Sequence, residues 1–187
     1  MNMKHILIFS WIFLLSHLAY GQDTKQIKSR DISVVCTRTE QLQKGKKEIS
    51  IEVTHYDRKG RETTIEYFNA DSICIATEQF SYNRKGRTIR HSTVDSLEMK
   101  STIIEQEYDR WNRLTQKASY ENNTLAERTE YAYNNFDDRI SEMVYDKDGK
   151  LKKKSEFAYD SKGMLIRKTT TNAEGIITYE KIVSYDY

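Results

Sequence analysis

Hydrophobic and polar positions alternate along several short segments of this chain. In residues 151–159 the side chains of Leu151, Phe157 and Tyr159 fall on alternate positions, and charged side chains fill most of the positions between them. Residues 125–133 follow the same pattern one repeat earlier. A period of two residues, with many Tyr, Thr, Val and Ile, is typical of β-strands. The pattern predicts an all-β chain with no helix after the N-terminal segment.

The strand pattern is organised as a repeat of about 26 residues. A Tyr followed by Asp or Asn recurs at intervals of 26, 26, 25, 26 and 26 residues. We call these residues the main tyrosines, and they are Tyr56, Tyr82, Tyr108, Tyr133, Tyr159 and Tyr185. A weaker mark follows each main Tyr by 12 residues, except the last, so each unit is expected to hold two turns. A fixed period of this kind indicates a repeat architecture.

The residues after each mark have the chemistry of a hairpin turn. Asp or Asn at the first position of a type I turn bonds its own backbone, and Gly at the fourth takes the left-handed conformation. Asn112 and Asp137 occupy the fourth position in two turns. The predicted structural turn glycines are Gly60, Gly86, Gly149, Gly163 and Gly175. Such turns join antiparallel neighbours.

The predicted fold class is therefore an all-β antiparallel meander of stacked hairpins. It has about twelve strands and a 26-residue double-hairpin unit, in a single curved sheet that forms one domain over residues 32–187. The absence of Pro suits strands whose N–H groups all enter a ladder.

The first residues predict export. Lys4 and His5 precede an apolar run that ends in Ala19-Tyr20-Gly21, so we interpret residues 1–21 as a signal peptide. A membrane anchor is the alternative, but the run is shorter than the roughly 20 residues that span a bilayer. Residues 22–31 are expected to be a loose leader. The predicted location is periplasmic, cell-surface or secreted, with no integral membrane span after cleavage.

The units resemble the RHS/YD-repeat family of secreted and cell-surface proteins. Residues 56–61, YDRKGR, and residues 108–114, YDRWNRL, match the family's Tyr-Asp-x-x-Gly-Arg-Leu signature best. The resemblance implies an all-β repeat fold and roles in binding, encapsulation or cell-surface contact, and it implies no catalytic residues. Five or six units are too few to close a large shell, so we expect binding or surface contact.

Catalytic and metal chemistry finds little support in the sequence. After the predicted signal the only histidines are His55 and His91, and we expect each to be a half-exposed strand residue rather than a general base. Each Asp-x-x-Gly turn offers too few oxygen ligands for calcium. We therefore expect no enzyme activity, no cofactor and no metal. Because acidic and basic residues are interspersed along the chain, we also expect no nucleic-acid partner.

The aromatic residues are the candidate binding residues. The main tyrosines are expected mainly to pack, with Arg61, Arg87 and Arg113 as cation–π partners of the Tyr that opens each turn. The candidate binding residues are Trp111, Tyr56, Tyr82, Tyr108, Tyr133 and Tyr159.

Three functions remain open at this point. The preferred one is a non-catalytic scaffold that contacts an envelope or extracellular protein. The alternative is a glycan-binding module that uses the tyrosine rows and Trp111. An outer-membrane barrel is less favoured, because residues 151–159 and 165–171 place Lys, Ser and Arg where lipid-facing residues would lie.

The two cysteines are expected to be free thiols. Cys36 falls on the first predicted strand and Cys74 on the fourth. In a flat meander three strand steps separate backbones by roughly 14 Å, whereas a disulfide needs Cα atoms within about 7 Å. Both side chains are expected to pack as small apolar residues on the sheet.

Overall fold

The computed structural model describes residues 24–43 and 45–186, so the predicted signal peptide lies outside the described residues. One short helix, α1 (Thr24–Ser29), precedes twelve strands. The strands are β1 Val34–Gln43, β2 Lys46–Tyr56, β3 Glu62–Phe68, β4 Cys74–Tyr82, β5 Thr88–Asp95, β6 Lys100–Tyr108, β7 Leu114–Glu121, β8 Thr124–Tyr133, β9 Arg139–Asp146, β10 Leu151–Tyr159, β11 Leu165–Asn172 and β12 Ile177–Ile182. They form a single sheet in the order of the sequence, and every neighbouring pair is antiparallel. The predicted twelve-strand meander is confirmed.

The turn chemistry is also as predicted. In the turn 57–61 the Gly60 N–H bonds the Asp57 carbonyl at 2.9 Å, and Gly60 has φ +75°. The Asp57 side chain accepts hydrogen bonds from the N–H groups of Lys59 and Arg61 at 2.8 and 3.0 Å. Strand pairing shifts register next to the main Tyr, for example between His55 and Tyr56. This shift is the bulge expected of a hairpin whose fourth turn residue is left-handed.

The turns fall into two sets, one at each end of the strands. The main turns follow the main tyrosines, and together they form what we call the main-turn end of the sheet. They comprise residues 57–61, 83–87, 109–113, 134–138 and 160–164. The half-unit turns form the opposite, half-turn end, and they include residues 69–73, 95–99, 121–124, 146–150 and 172–176. Because consecutive strands alternate in direction, residues 26 apart in sequence become neighbours at one end of the sheet.

The core is thin and partly polar. Cross-strand partners point to the same face of an antiparallel sheet, and Thr54, Ile65 and Glu78 form such a row across β2, β3 and β4. All three are buried. Val144 of β9 is the least exposed strand residue in the core, at 3%. With so little apolar burial, turns and cross-strand contacts must contribute much of the stability.

Helix α1 was not expected from the sequence, which predicted a loose leader over residues 22–31. Ile27 is fully buried, and the helix lies against the first main turn. A Cβ at Gly60 would come within 2.8 Å of the Thr24 carbonyl oxygen and 3.2 Å of Lys28. The absence of a side chain at Gly60 therefore permits this close approach. The sequence feature that could have indicated this contact is Ile27, a lone apolar residue in a polar segment.

The cysteines lie on the strands that the repeat predicts. Cys36 is in β1 and Cys74 begins β4, and both are free thiols. Cys74 is half-buried, with its sulfur 3.5 Å from the Ala76 carbonyl oxygen. Cys36 is exposed, so the expectation that it packs on the sheet was wrong. The reason is that β1 is a sheet edge, and no other strand of the described chain pairs with its outer side.

Candidate functional site

The main tyrosines tie each repeat to the one before it. From the second unit onward, each hydroxyl donates to the backbone carbonyl of a residue 19 or 20 positions earlier, which is the first residue of an odd-numbered strand. The pairs are Tyr82 with Glu62 at 2.8 Å, Tyr108 with Thr88 at 3.0 Å, Tyr133 with Leu114 at 2.9 Å, Tyr159 with Arg139 at 2.9 Å and Tyr185 with Leu165 at 3.2 Å. Tyr56 opens the row, and its own N–H bonds the Ser33 carbonyl at 2.8 Å.

The pKa values of these tyrosines suit hydroxyl groups that donate hydrogen bonds. Burial raises the pKa of Tyr82, Tyr133 and Tyr159 above the usual value. The phenols therefore stay protonated well above neutral pH and can donate throughout that range. The geometry favours packing and hydrogen bonding between units as the role of the tyrosine row.

The cation–π contacts of Arg61 and Arg113 with the main tyrosines form between units, not with the Tyr that opens their own turn as the sequence predicted. The Arg61 guanidinium lies 4.4 Å from the ring centre of Tyr82, the next main Tyr, instead of over Tyr56. Arg113 lies 4.9 Å from the ring centre of Tyr133, instead of over Tyr108. The expected partner within the turn was therefore wrong for Arg61 and Arg113, whose side chains lie against the main Tyr of the following unit.

The same two arginines are held by the first residue of their own turn. Arg61 Nε donates to Asp57 Oδ2 at 2.8 Å, and Arg113 Nε donates to Asp109 Oδ2 at 2.7 Å. Burial alone would raise the pKa of Asp57, but hydrogen bonds from the Arg61 side chain and from backbone N–H groups outweigh it and lower this pKa. The balance has the same direction at Asp109. Arg113 also reaches the next turn, where Nη1 donates to Asp137 Oδ1 at 2.8 Å.

Two exposed aromatic side chains occupy equivalent places in adjacent main turns. Trp111 and Phe136 are each the third residue of their turn, and they are 58% and 86% exposed. The contact between Arg113 and Asp137 bridges the two turns. The Arg110 guanidinium lies 3.8 Å from the Trp111 ring centre. Sequence reasoning selected Trp111 but missed Phe136, although their equivalent places in the repeat could have shown it.

The fold separates charges that alternate along the sequence. The main turns 57–61, 83–87 and 109–113 hold eight Arg or Lys and two Asp, a net charge of +6. The half-unit turns 69–73 and 95–99, together with residues 121–124, hold four acidic and no basic residues, a net charge of −4. Charges that are interspersed along the sequence are therefore separated at these turns, because a 26-residue period brings like turns together.

The two histidines of the described residues make cross-strand contacts with carboxylates. His91 Nε2 is 2.6 Å from Glu78 Oε2, and the His91 ring stacks on Phe80 with ring centres 4.4 Å apart. The Tyr67 hydroxyl donates to the other Glu78 oxygen at 2.9 Å. His55 pairs with Glu66 at 3.2 Å. These contacts satisfy a buried carboxylate and link β3, β4 and β5, which is a structural role.

Within residues 24–43 and 45–186, no group of three or more His, Cys, Asp or Glu side chains is placed to hold a metal ion. No helix in that part of the chain has the length and apolar character needed to cross a membrane.

The fold and its turns define the chain as an antiparallel β-meander repeat protein. It matches no protein-family model and no curated protein, so the resemblance to the RHS/YD-repeat family stays a prediction. Among solved structures, a porin-like protein from Bacteroides uniformis is 14% identical, with a TM-score of 0.37, over 79% of this chain and 57% of that one. The TcdB2-TccC3-Cdc42 structure is 12% identical, with a TM-score of 0.33, over 82% of this chain and 10% of that one.

A protein with unknown function from Bacteroides fragilis is 12% identical, with a TM-score of 0.23, over 83% of this chain and 96% of that one. The chain thus spans 57% and 10% of the first two similar chains.

Proposed function

We propose that this chain is an exported, non-catalytic β-repeat protein that binds another protein of the cell envelope or the cell exterior through its main-turn end. The observation that carries the proposal is the pair of exposed aromatic side chains, Trp111 and Phe136, on two bridged turns. Trp and Arg are the residues most enriched at the energetic centres of protein interfaces. Trp111 lies between Arg110 and Arg113, with both guanidinium groups within 4.7 Å of its ring centre.

A protein partner suits this surface better than a neutral glycan. Sugar rings need open aromatic faces, but the main Tyr hydroxyls already bond the backbone, and Arg61 lies over one of the Tyr rings. The Arg110 guanidinium lies at van der Waals distance from the Trp111 ring. Phe136 adds apolar area without a polar group to orient a sugar. Glycan binding remains the alternative function.

The test is site-specific cross-linking of the exported protein in its own envelope. We expect Trp111→Ala and Phe136→Ala each to weaken capture of a protein partner at least fivefold, as for loss of an interface anchor worth about 1 kcal/mol or more. Leu97→Ala is the matched control, because Leu97 is 66% exposed in a half-unit turn at the opposite end. Unchanged capture by both aromatic variants would refute the proposal. Binding of a neutral glycan that is lost in Trp111→Ala would favour the alternative.

A further inference from the structure

The second main turn departs from the turns on either side of it. The turns 57–61 and 109–113 begin with Asp and end with Arg, whereas the turn 83–87 begins with Asn83 and ends with Arg87. An Asn side chain keeps the backbone contacts of the turn, and its Oδ1 accepts hydrogen bonds from Lys85 and Arg87 N–H at 3.0 and 2.9 Å. It has no negative charge to pair with a guanidinium.

The Arg87 guanidinium is consequently available to bind an anion, whereas the guanidinium groups of Arg61 and Arg113 are not. The Arg61 and Arg113 side chains are 22% and 20% exposed, and both are bound to the Asp of their own turn. Arg87 is exposed, and within the described residues its side chain makes no hydrogen bond or ion pair. The middle turn therefore presents a guanidinium whose charge no carboxylate of the described chain neutralises.

The surroundings of Arg87 strengthen its attraction for anions. Arg84 of the same turn is exposed and likewise has no ion pair among residues 24–43 and 45–186. Lys85 Nζ donates to the Arg110 carbonyl at 2.8 Å, which ties the middle turn to the next one. Successive main turns are two strands apart, which corresponds to about 9–10 Å. The exposed residues Arg58 and Arg110, at the second position of the flanking turns, thus lie on either side of Arg84.

We propose that the turn 83–87 is a docking site for a side-chain carboxylate in an acidic segment of the protein partner. A guanidinium can bind a carboxylate through two parallel N–H···O bonds. Within the turn 57–61 a guanidinium already binds a carboxylate, since Arg61 Nε and Nη2 both donate to Asp57 Oδ2. This inference rests on the proposed function, since it specifies the chemistry of the partner that binds the main-turn end.

The composition of the site favours an acidic protein over other anions. Six of the eight basic residues in the first three main turns are Arg, and Trp111 lies at one end of them. Protein interfaces are enriched in Arg and Trp and depleted in Lys. Single-stranded nucleic acid is held by rows of stacking aromatic side chains, and the turns 57–61 and 83–87 contain none.

The experiment measures binding of fluorescent poly-L-glutamate to the purified protein at low salt, by anisotropy. Asn83→Asp supplies the missing carboxylate, and we expect it to hold Arg87 as Asp57 holds Arg61. We expect Asn83→Asp and Arg87→Gln each to weaken binding about three- to fivefold, the upper part of the range for an exposed charge pair. Lys59→Gln is the control: it removes one charge from an exposed side chain in the neighbouring turn, and we expect less than a twofold effect.

Equal losses in all three variants would overturn the inference, because they would indicate a diffuse basic field instead of a site. Binding of dextran sulfate or single-stranded DNA as tight as that of poly-L-glutamate would overturn the choice of an acidic protein. Asn83→Asp should fold normally, because Asp occupies this position in the flanking turns, and Arg87→Gln is an independent second variant. If Trp111→Ala loses the envelope partner while Asn83→Asp retains it, the proposed function stands and this inference fails.

Discussion

Replacing Tyr133 by Phe removes one oxygen atom from the row of bonds that joins successive repeats. The lost hydroxyl donates to the Leu114 carbonyl oxygen at 2.9 Å, from the end of β8 to the start of β7. The ring stays, so its contact with the Arg113 guanidinium, 4.9 Å from the ring centre, is retained. The substitution therefore isolates the hydrogen bond from the packing of the ring.

The size of the expected loss in the free energy of unfolding follows from the environment of that hydrogen bond. A hydrogen bond within a protein contributes a net 0.5–1.5 kcal/mol or so. Tyr133 is half-buried, so water can partly replace the lost donor, and we expect a loss of about 0.5–1 kcal/mol in the free energy of unfolding. For a chain of this size such a loss lowers the Tm by about 1–4 °C.

The assay is urea unfolding followed by circular dichroism and by fluorescence, since coincident curves are needed to treat a repeat protein as two-state. Tyr179→Phe is the control, because Tyr179 is 50% exposed and its hydroxyl makes no hydrogen bond within the described part of the chain. We expect the control to change stability by less than about 0.3 kcal/mol. Equal effects of the two substitutions would refute the idea that the main Tyr hydroxyls stabilise the stack of repeats.

Two further predictions concern the turns. In urea unfolding, Gly60→Ala should destabilise the protein more than Gly149→Ala, and it should also expose α1 to proteolysis. Both glycines have positive φ. Of the two, only Gly60 would place a Cβ against backbone, 2.8 Å from the Thr24 carbonyl oxygen. Asp57→Asn should destabilise the protein more at pH 7 than at pH 3. The lowered pKa of Asp57 gives stability that is present above about pH 4 and is lost as the pH falls below it, because the unfolded chain binds the proton first. Equal destabilisation at both pH values would contradict the assigned ion pair.

The site was only partly predictable from the sequence, and the reason is physical. Trp111 was found because an aromatic residue at a turn tip departs from the repeat. Phe136 and the exposed guanidinium of Arg87 required comparison of equivalent turn positions across the fold. The direction in which Arg61 leaves its turn was not predictable, because it depends on the bulge and on the ring of the following unit.

The sequence by itself determined the meander, because both of its signals are local. Alternation with a period of two specifies a strand, and Asp-x-x-Gly specifies the turn that reverses it, so twelve strands and their order follow without knowledge of distant contacts. Only the tertiary structure decided which pairs of residues, 19 to 26 positions apart, lie in contact. Stacking of the hairpins aligned the Tyr hydroxyls with earlier carbonyls, packed Ile27 against the first turn, and gathered positive charge at one end and negative charge at the other. Those contacts depend on twist, bulge geometry and side-chain direction, which local patterning does not encode.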